Sequence, residues 1–567
     1  MMTRIRTLAL TVLVLSVGAA GCRSMFASSA DDSSTTSSSS SGQMNTGSDG
    51  DASGYFVEGT NDVTGGGPAP TPQDQADVGR ETQSHFRGIQ IDPTLETSAG
   101  PKFVLPFDLD NDGLMDVVTG WNQSQPVQIH LQRRDANGKI SFVTVTLAGT
   151  GPVAIIGDLD VADFDDDGWL DVAILVKETG AVGICPTPDA EEPFQVLDDA
   201  GMGEVQILFN PGNATDITNG DAWMEVELTQ SYLPTRRDDD VPTSVTYPEA
   251  NGYTGMAVGD FDGVNGADIV VAYNPPQCEF YGDDPSPVNR IVLYTNPGGG
   301  NTFAGNQWNP TTLEGDLPKV SDVKAMRVDL DGDLDLVFTY PDALTANVSW
   351  LRNPANESGA AAVTNAANWE VRPIGQVDTD ANVLAIGDID GDGFDDVLVR
   401  TNIGQAVQWF RHPGAEDGEP IFPPTDVLPT RFNFPWQVYT LSEYEIGRPA
   451  GMAIGDLTND GLNDVTVAAG GVVYWYDGSL ASSRYARWGE LFVMDDTKEN
   501  GTTDDPTDPD FVDDGTVIYG LTIVDLDGDG ANDIIATFDR RTLSGLTDDT
   551  LLWFRNTILD DQTQGGN

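Results

Sequence analysis

The chain has 567 residues, 39% of them hydrophobic, enough to build a large folded core and too many for a wholly disordered protein. Ninety Asp and Glu against 28 Lys and Arg give a formal charge of −62, which sets the surface against nucleic acid and anionic membrane. Three cysteines exclude a disulfide-rich scaffold, and three scattered histidines (His85, His130, His412), with no phosphate loop or zinc signature, offer little material for catalysis.

The N-terminus reads as an export signal. Arg4 and Arg6 precede an apolar stretch from Thr7 to Val17, and Ala19-Ala20-Gly21-Cys22 closes it with small residues. The stretch is too short to span a bilayer as a mature helix. The ending resembles a bacterial lipobox, with Ala19 where Leu is commoner. Residues 1–22 are therefore expected to be a lipoprotein leader, with the lipid on Cys22, or else the leader of an ordinary secreted protein cleaved nearby. Residues 23–75, rich in Ser, Thr, Gly and Asp, cannot bury a core and read as a flexible tether. Fully extended, it reaches on the order of 170 Å. The expected location is the bacterial envelope, by preference the outer surface.

From residue 76 onward the chain repeats. After a strand-like segment, Phe86–Ile91, seven acidic loops begin at Asp108, Asp163, Asp260, Arg327, Asp388, Asp456 and Asp525. Their shared pattern is acids at positions 1, 3, 5 and 9 with Gly at 6, running into a β-branched strand. Four are complete: Asp108, Asp110, Asp112 and Asp116; Asp163, Asp165, Asp167 and Asp171; Asp388, Asp390, Asp392 and Asp396; Asp525, Asp527, Asp529 and Asp533. The loop at Asp456 has Thr458 at position 3, with Asp460 and Asp464 in place. The loop at Asp260 keeps Asp262 and Asp268 but has Val264 at position 5, and its Gly slips by one. The fourth keeps Asp329, Asp331 and Asp335, with Arg327 at position 1, where a guanidinium either abolishes the site or stands where an ion would sit.

Such a loop converges carboxylates on one centre, and Gly at position 6 permits the sharp turn. Carboxylate oxygens without His or Cys are hard ligands that suit calcium, typically at about 10⁻⁴ to 10⁻³ M in extracellular modules. Seven in-register copies imply four to seven structural calcium ions. Seven such ions would offset under a quarter of the negative charge, so the remaining acidity reads first as a solvated surface, with a salty habitat, cation-mediated adhesion or a cationic partner as the alternatives.

Around each loop the same frame returns: an apolar strand before it (Val383-Leu-Ala-Ile-Gly387), a β-branched strand after it (Asp396-Val-Leu-Val399), a third with an aromatic (Val348-Ser-Trp350-Leu-Arg-Asn353, Val407-Gln-Trp409-Phe-Arg-His412, Leu552-Trp553-Phe-Arg-Asn556), and a fourth opening with Trp (Trp223, Trp308, Trp369, Trp436, Trp488). Four short strands per unit and seven units predict an all-β, seven-bladed β-propeller. Its aromatics pack between blades, and the segment at Phe86–Ile91 supplies the strand the last unit lacks. The loops lie between the first and second strands of each blade.

These residues resemble the integrin-alpha-type FG-GAP and VCBS repeat family. Gly387 to Val399 follow its pattern of apolar strand, Gly-Asp, acid-Gly loop and Asp-Val-Val, and Asn210-Pro211, Asn296-Pro297 and Asn353-Pro354 supply the strand ends. The resemblance covers about residues 80 to 560 and implies the propeller fold and a structural calcium in the matching loops. Cys185 and Cys278 fall in equivalent loops of consecutive blades on one face, where an oxidising compartment would allow a disulfide or leave two separate thiols.

The expected function is a monomeric, calcium-stabilised surface propeller that binds an extracellular protein or polysaccharide and touches the membrane only through its lipid. The partner is expected on the face opposite the loops, where the insertions at 177–204, 231–254, 273–289 and 495–516 gather. The competing reading is an extracellular polysaccharide lyase or hydrolase, since a glycosidase pair can hide among loop acids.

Overall fold

The computed structural model describes residues 56–57, 86–91, 101–121, 127–147, 154–178, 204–228, 253–274, 289–317, 319–340, 347–377, 381–401, 407–414, 436–442, 449–469, 472–478, 489–495, 517–539 and 550–559. All fall within the compact unit Asp51–Asn567. Cys22, Cys185, Cys278 and most of the leader, the tether and the four insertions lie outside the described residues.

Six four-stranded antiparallel sheets and one five-stranded sheet follow each other along the chain. The inner strands are Pro101–Phe107, Ala154–Ala162, Tyr253–Gly259, Asp322–Met326, Ala381–Gly387, Pro449–Gly455 and Val517–Val524. Each packs against the next, and the seventh packs against the first, so the sheets form a ring of seven blades. In every blade an acidic loop links the inner strand to the second.

The second strands show why the pattern folds this way. Asp116–Trp121, Asp268–Tyr273 and Asp464–Ala469 are buried at every position. Their β-branched runs suit a strand covered on both faces. The third strands place Trp350, Trp409, Trp475 and Trp553 among the largest fully buried side chains. Burial of each large apolar side chain contributes about 1.5–3 kcal/mol.

Seven hydrophobic clusters result, each shared by two neighbouring blades. Trp409 joins Leu398 of its own blade to Val465 and Tyr474 of the next. The seventh cluster sets Trp553, Ile535 and Leu526 of the last blade against Val104 and Val117 of the first. The aromatics are therefore packing residues between blades. Trp223, Trp308, Trp369 and Trp436 are buried at the start of outer strands, as their spacing predicts.

The Gly that precedes each Asp in Gly387-Asp388 and Gly455-Asp456 has a packing reason. A Cβ on Gly387 would sit 3.2 Å from Ile454 Cγ2, and one on Gly455 would sit 2.7 Å from Ile523 Cγ2. Neighbouring inner strands approach here too closely for a side chain.

The last blade draws on both regions of the chain. Phe86–Gln90 pairs antiparallel with Thr550–Asn556, from Phe86 opposite Asn556 to Gln90 opposite Leu552. A two-residue strand, Phe56–Val57, adds a parallel fifth member. This fifth strand falls within the segment expected to be tether.

Candidate metal centres

Each acidic loop starts from a backbone that turns twice through the left-handed region. Position 4 has positive φ in all seven: Asn111, Asp166, Gly263, Leu330, Gly391, Asn459 and Gly528. Position 6 repeats it with Gly in six loops and with Asn265 (φ 67°) in the third. That loop accommodates its displaced Gly by putting both Asn265 and Gly266 in this region. Asn and Asp tolerate the conformation, whereas Leu330, at φ 62°, carries a Cβ penalty.

The acid at position 1 holds the turn together. Asp388 accepts the N–H groups of Asp392 (3.0 Å) and Gly393 (2.9 Å) on its two oxygens. Asp108, Asp163, Asp456 and Asp525 do the same in their loops. Asp260 turns one oxygen to both Gly263 and Val264. Position 5 accepts from the N–H two residues on, as Asp392 does from Phe394 and Asp167 from Trp169. The loops are thus preformed by their own amides.

Position 9 is the root of the site. Asp116, Asp268, Asp335, Asp396, Asp464 and Asp533 have no solvent exposure, and Asp171 has 1%. In Asp396, Oδ2 accepts from Ile389 N and Oδ1 from His412 N, at 3.0 and 2.7 Å. Every other position-9 Asp repeats this, tying the loop to the end of the third strand. Burial raises these carboxyls although the amides oppose it: Asp116 and Asp464 to about 7, Asp171, Asp268, Asp335 and Asp396 to about 8, and Asp533 well above its ordinary value. Position-3 acids Asp110, Asp165, Asp262 and Asp329 are raised too, chiefly by burial and partly by neighbouring acids.

The strand-end residue that donates its amide to position 9 also reaches the adjacent blade. Asn353 Nδ2 donates to Phe261 O, the position-2 carbonyl of the preceding loop, at 2.8 Å. Asn210, Asn296 and Asn556 make the equivalent bond, Gln132 makes it to Leu526, and His412 to Val328. His412 Nδ1 accepts from Gly414 N, so Nε2 carries the proton it donates. The sixth blade has Gly478 at this place, and Asn463 instead donates to Asp388 O. The Asn-Pro strand ends seen in the sequence are thus inter-blade latches.

Loop carboxylates converge. Oxygens of Asp108, Asp110 and Asp116 lie within 4.8 Å of one another, as do those of Asp163, Asp165 and Asp167, of Asp260, Asp262 and Asp268, and of Asp388, Asp390 and Asp396. In the fourth loop the converging acids are Asp329, Asp331 and Asp333, the last of which spacing alone did not mark. Arg327 is exposed, with Nε 3.4 Å from Gly332 O; no ion pair joins it to the loop acids among the described residues. The guanidinium that reaches those acids is Arg352 from the third strand, with Nε 2.5 Å from Asp329 Oδ2.

The donors suit a hard divalent cation. They are all carboxylate oxygens, and Asp110 Oδ1, on a residue only 6% exposed, has no hydrogen-bond partner.

Residues 108–174, which span the first two loops, match the family model described as an FG-GAP-like repeat. The seven-bladed fold and this repeat match together support an FG-GAP-type β-propeller. No curated protein matches it. In this propeller the described histidines are structural: His130 is buried between Thr119 and Thr144, and His412 is a latch. A second charged cluster joins inner strands, where Lys324 Nζ lies 3.4 Å from Asp158 Oδ2 and 3.6 Å from Asp322 Oδ1. Asp158 Oδ2 also accepts from Met256 N, so this cluster ties blades two, three and four together.

Proposed function

We propose that this FG-GAP propeller is a calcium-clamped binding module of the bacterial envelope, holding a rigid face toward an extracellular protein or polysaccharide. The observation that carries the reading is the sevenfold loop, in which backbone amides preform a set of buried, mutually repelling carboxylates. A divalent ion neutralises charge that burial makes costly. Calcium suits the all-oxygen donor set and its uneven loops better than magnesium, which demands a strict octahedron. When bound, the ion would be held by the acids at positions 1, 3, 5 and 9, and it would supply stability.

The lipid on Cys22 and the tether from Arg23 would display the propeller away from the membrane. The described histidines, both buried, lend no support to a polysaccharide-cleaving enzyme. The test is thermal unfolding against calcium after treatment with EGTA, beside binding to a glycan and protein panel with and without chelator. Each occupied site contributes about 2.7 kcal/mol at a hundred times its dissociation constant. A melting curve indifferent to calcium would overturn the reading.

A further inference from the structure

Resting on the calcium reading, the loops divide into two kinds by what the third strand sends toward them. The residue just before the latch is Arg352, Arg411 and Arg555 in the fourth, fifth and seventh blades. Arg411 spans two acids, with Nε 2.5 Å from Asp390 Oδ2 and Nη2 2.8 Å from Asp392 Oδ2. Arg555 repeats this on Asp527 and Asp529. Arg352 reaches Asp329 and, at 3.5 Å, Asp331. In the first blade the third strand runs on past the latch, and Arg133, one place later, takes Asp110 at 2.7 Å and Asp112 at 3.4 Å.

All four arginines engage the same two oxygens, Oδ2 of positions 3 and 5. In the fifth loop the Oδ1 atoms of these acids already accept loop amides. With the arginine in place, each of these four oxygens has a donor. The second loop differs: Asp165 and Asp167 use Oδ1 on loop amides, and among the described residues no side chain donates to either Oδ2. The third loop has Thr295 at the equivalent place. In the sixth, whose position 3 is Thr458, the equivalent residue is Asp477, buried at 4% exposure, where the fourth, fifth and seventh blades carry arginine.

We propose that these arginines are built-in counter-cations that set two classes of calcium loop. Guarded loops (at Asp108, Arg327, Asp388 and Asp525) are neutralised in part by their own guanidinium, so they hold their shape without metal and bind calcium more weakly. Loops with no arginine on their acids among the described residues (at Asp163, Asp260 and Asp456) depend on the ion. A monovalent cation within a few ångströms of a divalent one opposes binding, and its removal tightens a site on the order of tenfold.

The experiment compares Arg411→Gln with wild type in the full chain by calcium titration calorimetry and by unfolding in EGTA and in excess calcium. Expected are a tighter class of sites enlarged by one, a lower urea midpoint in EGTA, and a midpoint near wild type in calcium. Arg411→Lys, which keeps a cation but loses the two-pronged fit, falls between. Unchanged or weakened calcium binding in Arg411→Gln, with wild type binding normally, overturns this proposal alone. Failure of wild type to bind calcium overturns the reading beneath it.

Discussion

Asn353→Leu tests the latch that joins loop to strand and blade to blade. Asn353 has no solvent exposure, and its side chain makes three hydrogen bonds: Nδ2 donates to Phe261 O and Leu334 O, both at 2.8 Å, and Oδ1 accepts from Ala355 N at 3.0 Å. Leucine keeps the branching and heavy-atom count but can make none of them. Each lost bond is worth about 0.5–1.5 kcal/mol, and a buried group left without a partner costs about 1–3 kcal/mol. Added apolar burial offsets part of this, leaving an expected loss of about 3 kcal/mol. The assay is urea unfolding, read as a lower midpoint at unchanged slope. Asn353→Gln is the control, because Gln132 makes the same inter-blade bond in the first blade. If Asn353→Leu cost less than about 0.5 kcal/mol, or no more than Asn353→Gln, the latch would not be a determinant of blade cohesion.

Three further outcomes follow from the geometry. Leu330→Gly relieves a left-handed leucine that is 39% exposed, and is expected to raise stability by about 1 kcal/mol in urea. In EGTA, stability is expected to fall as pH rises from 5 to 8.5. Asp171, Asp268, Asp335 and Asp396 sit at about 8 when folded, so the folded state holds protons that the unfolded chain has released; the stability is fullest below the unfolded carboxylate range and is lost on approach to 8. Saturating calcium is expected to flatten that slope in the same urea series. Gly455→Ala places a methyl group 2.7 Å from Ile523 Cγ2, and calorimetry should show a melting point lowered by about 1–3 kcal/mol equivalent.

The fold was legible because its determinants are local. Acids at fixed offsets, a Gly before them, Asp-Val-Val after them and a third-strand Trp all lie within one repeat, and seven copies average out the irregular ones. The position-4 turn was also written in Asn, Asp and Gly, but Leu330 shows that the backbone enforces it even on an unsuitable residue. What spacing could not show was destination. Asn353, Asn556 and Arg411 stood in plain view in the third-strand repeat, yet each acts on loop acids 18 to 23 residues back, and the asparagines also on the neighbouring blade. Arg327 drew attention by breaking the pattern, while Arg352, which conforms to it, is the one that meets the acids. Asp333 entered the fourth loop's cluster for a similar reason: the chain curls so that an off-pattern carboxylate comes inward.

The pairing of Phe86 with Asn556 has a consequence for biosynthesis. A strand made early must wait for nearly the whole remaining polypeptide before its partner exists, a contact of extreme sequence separation. Until then the seventh inter-blade core, including Ile89 and Val104, has nothing to cover it. The ring therefore stays open at one seam, with an apolar edge uncovered, until the last strand is in place.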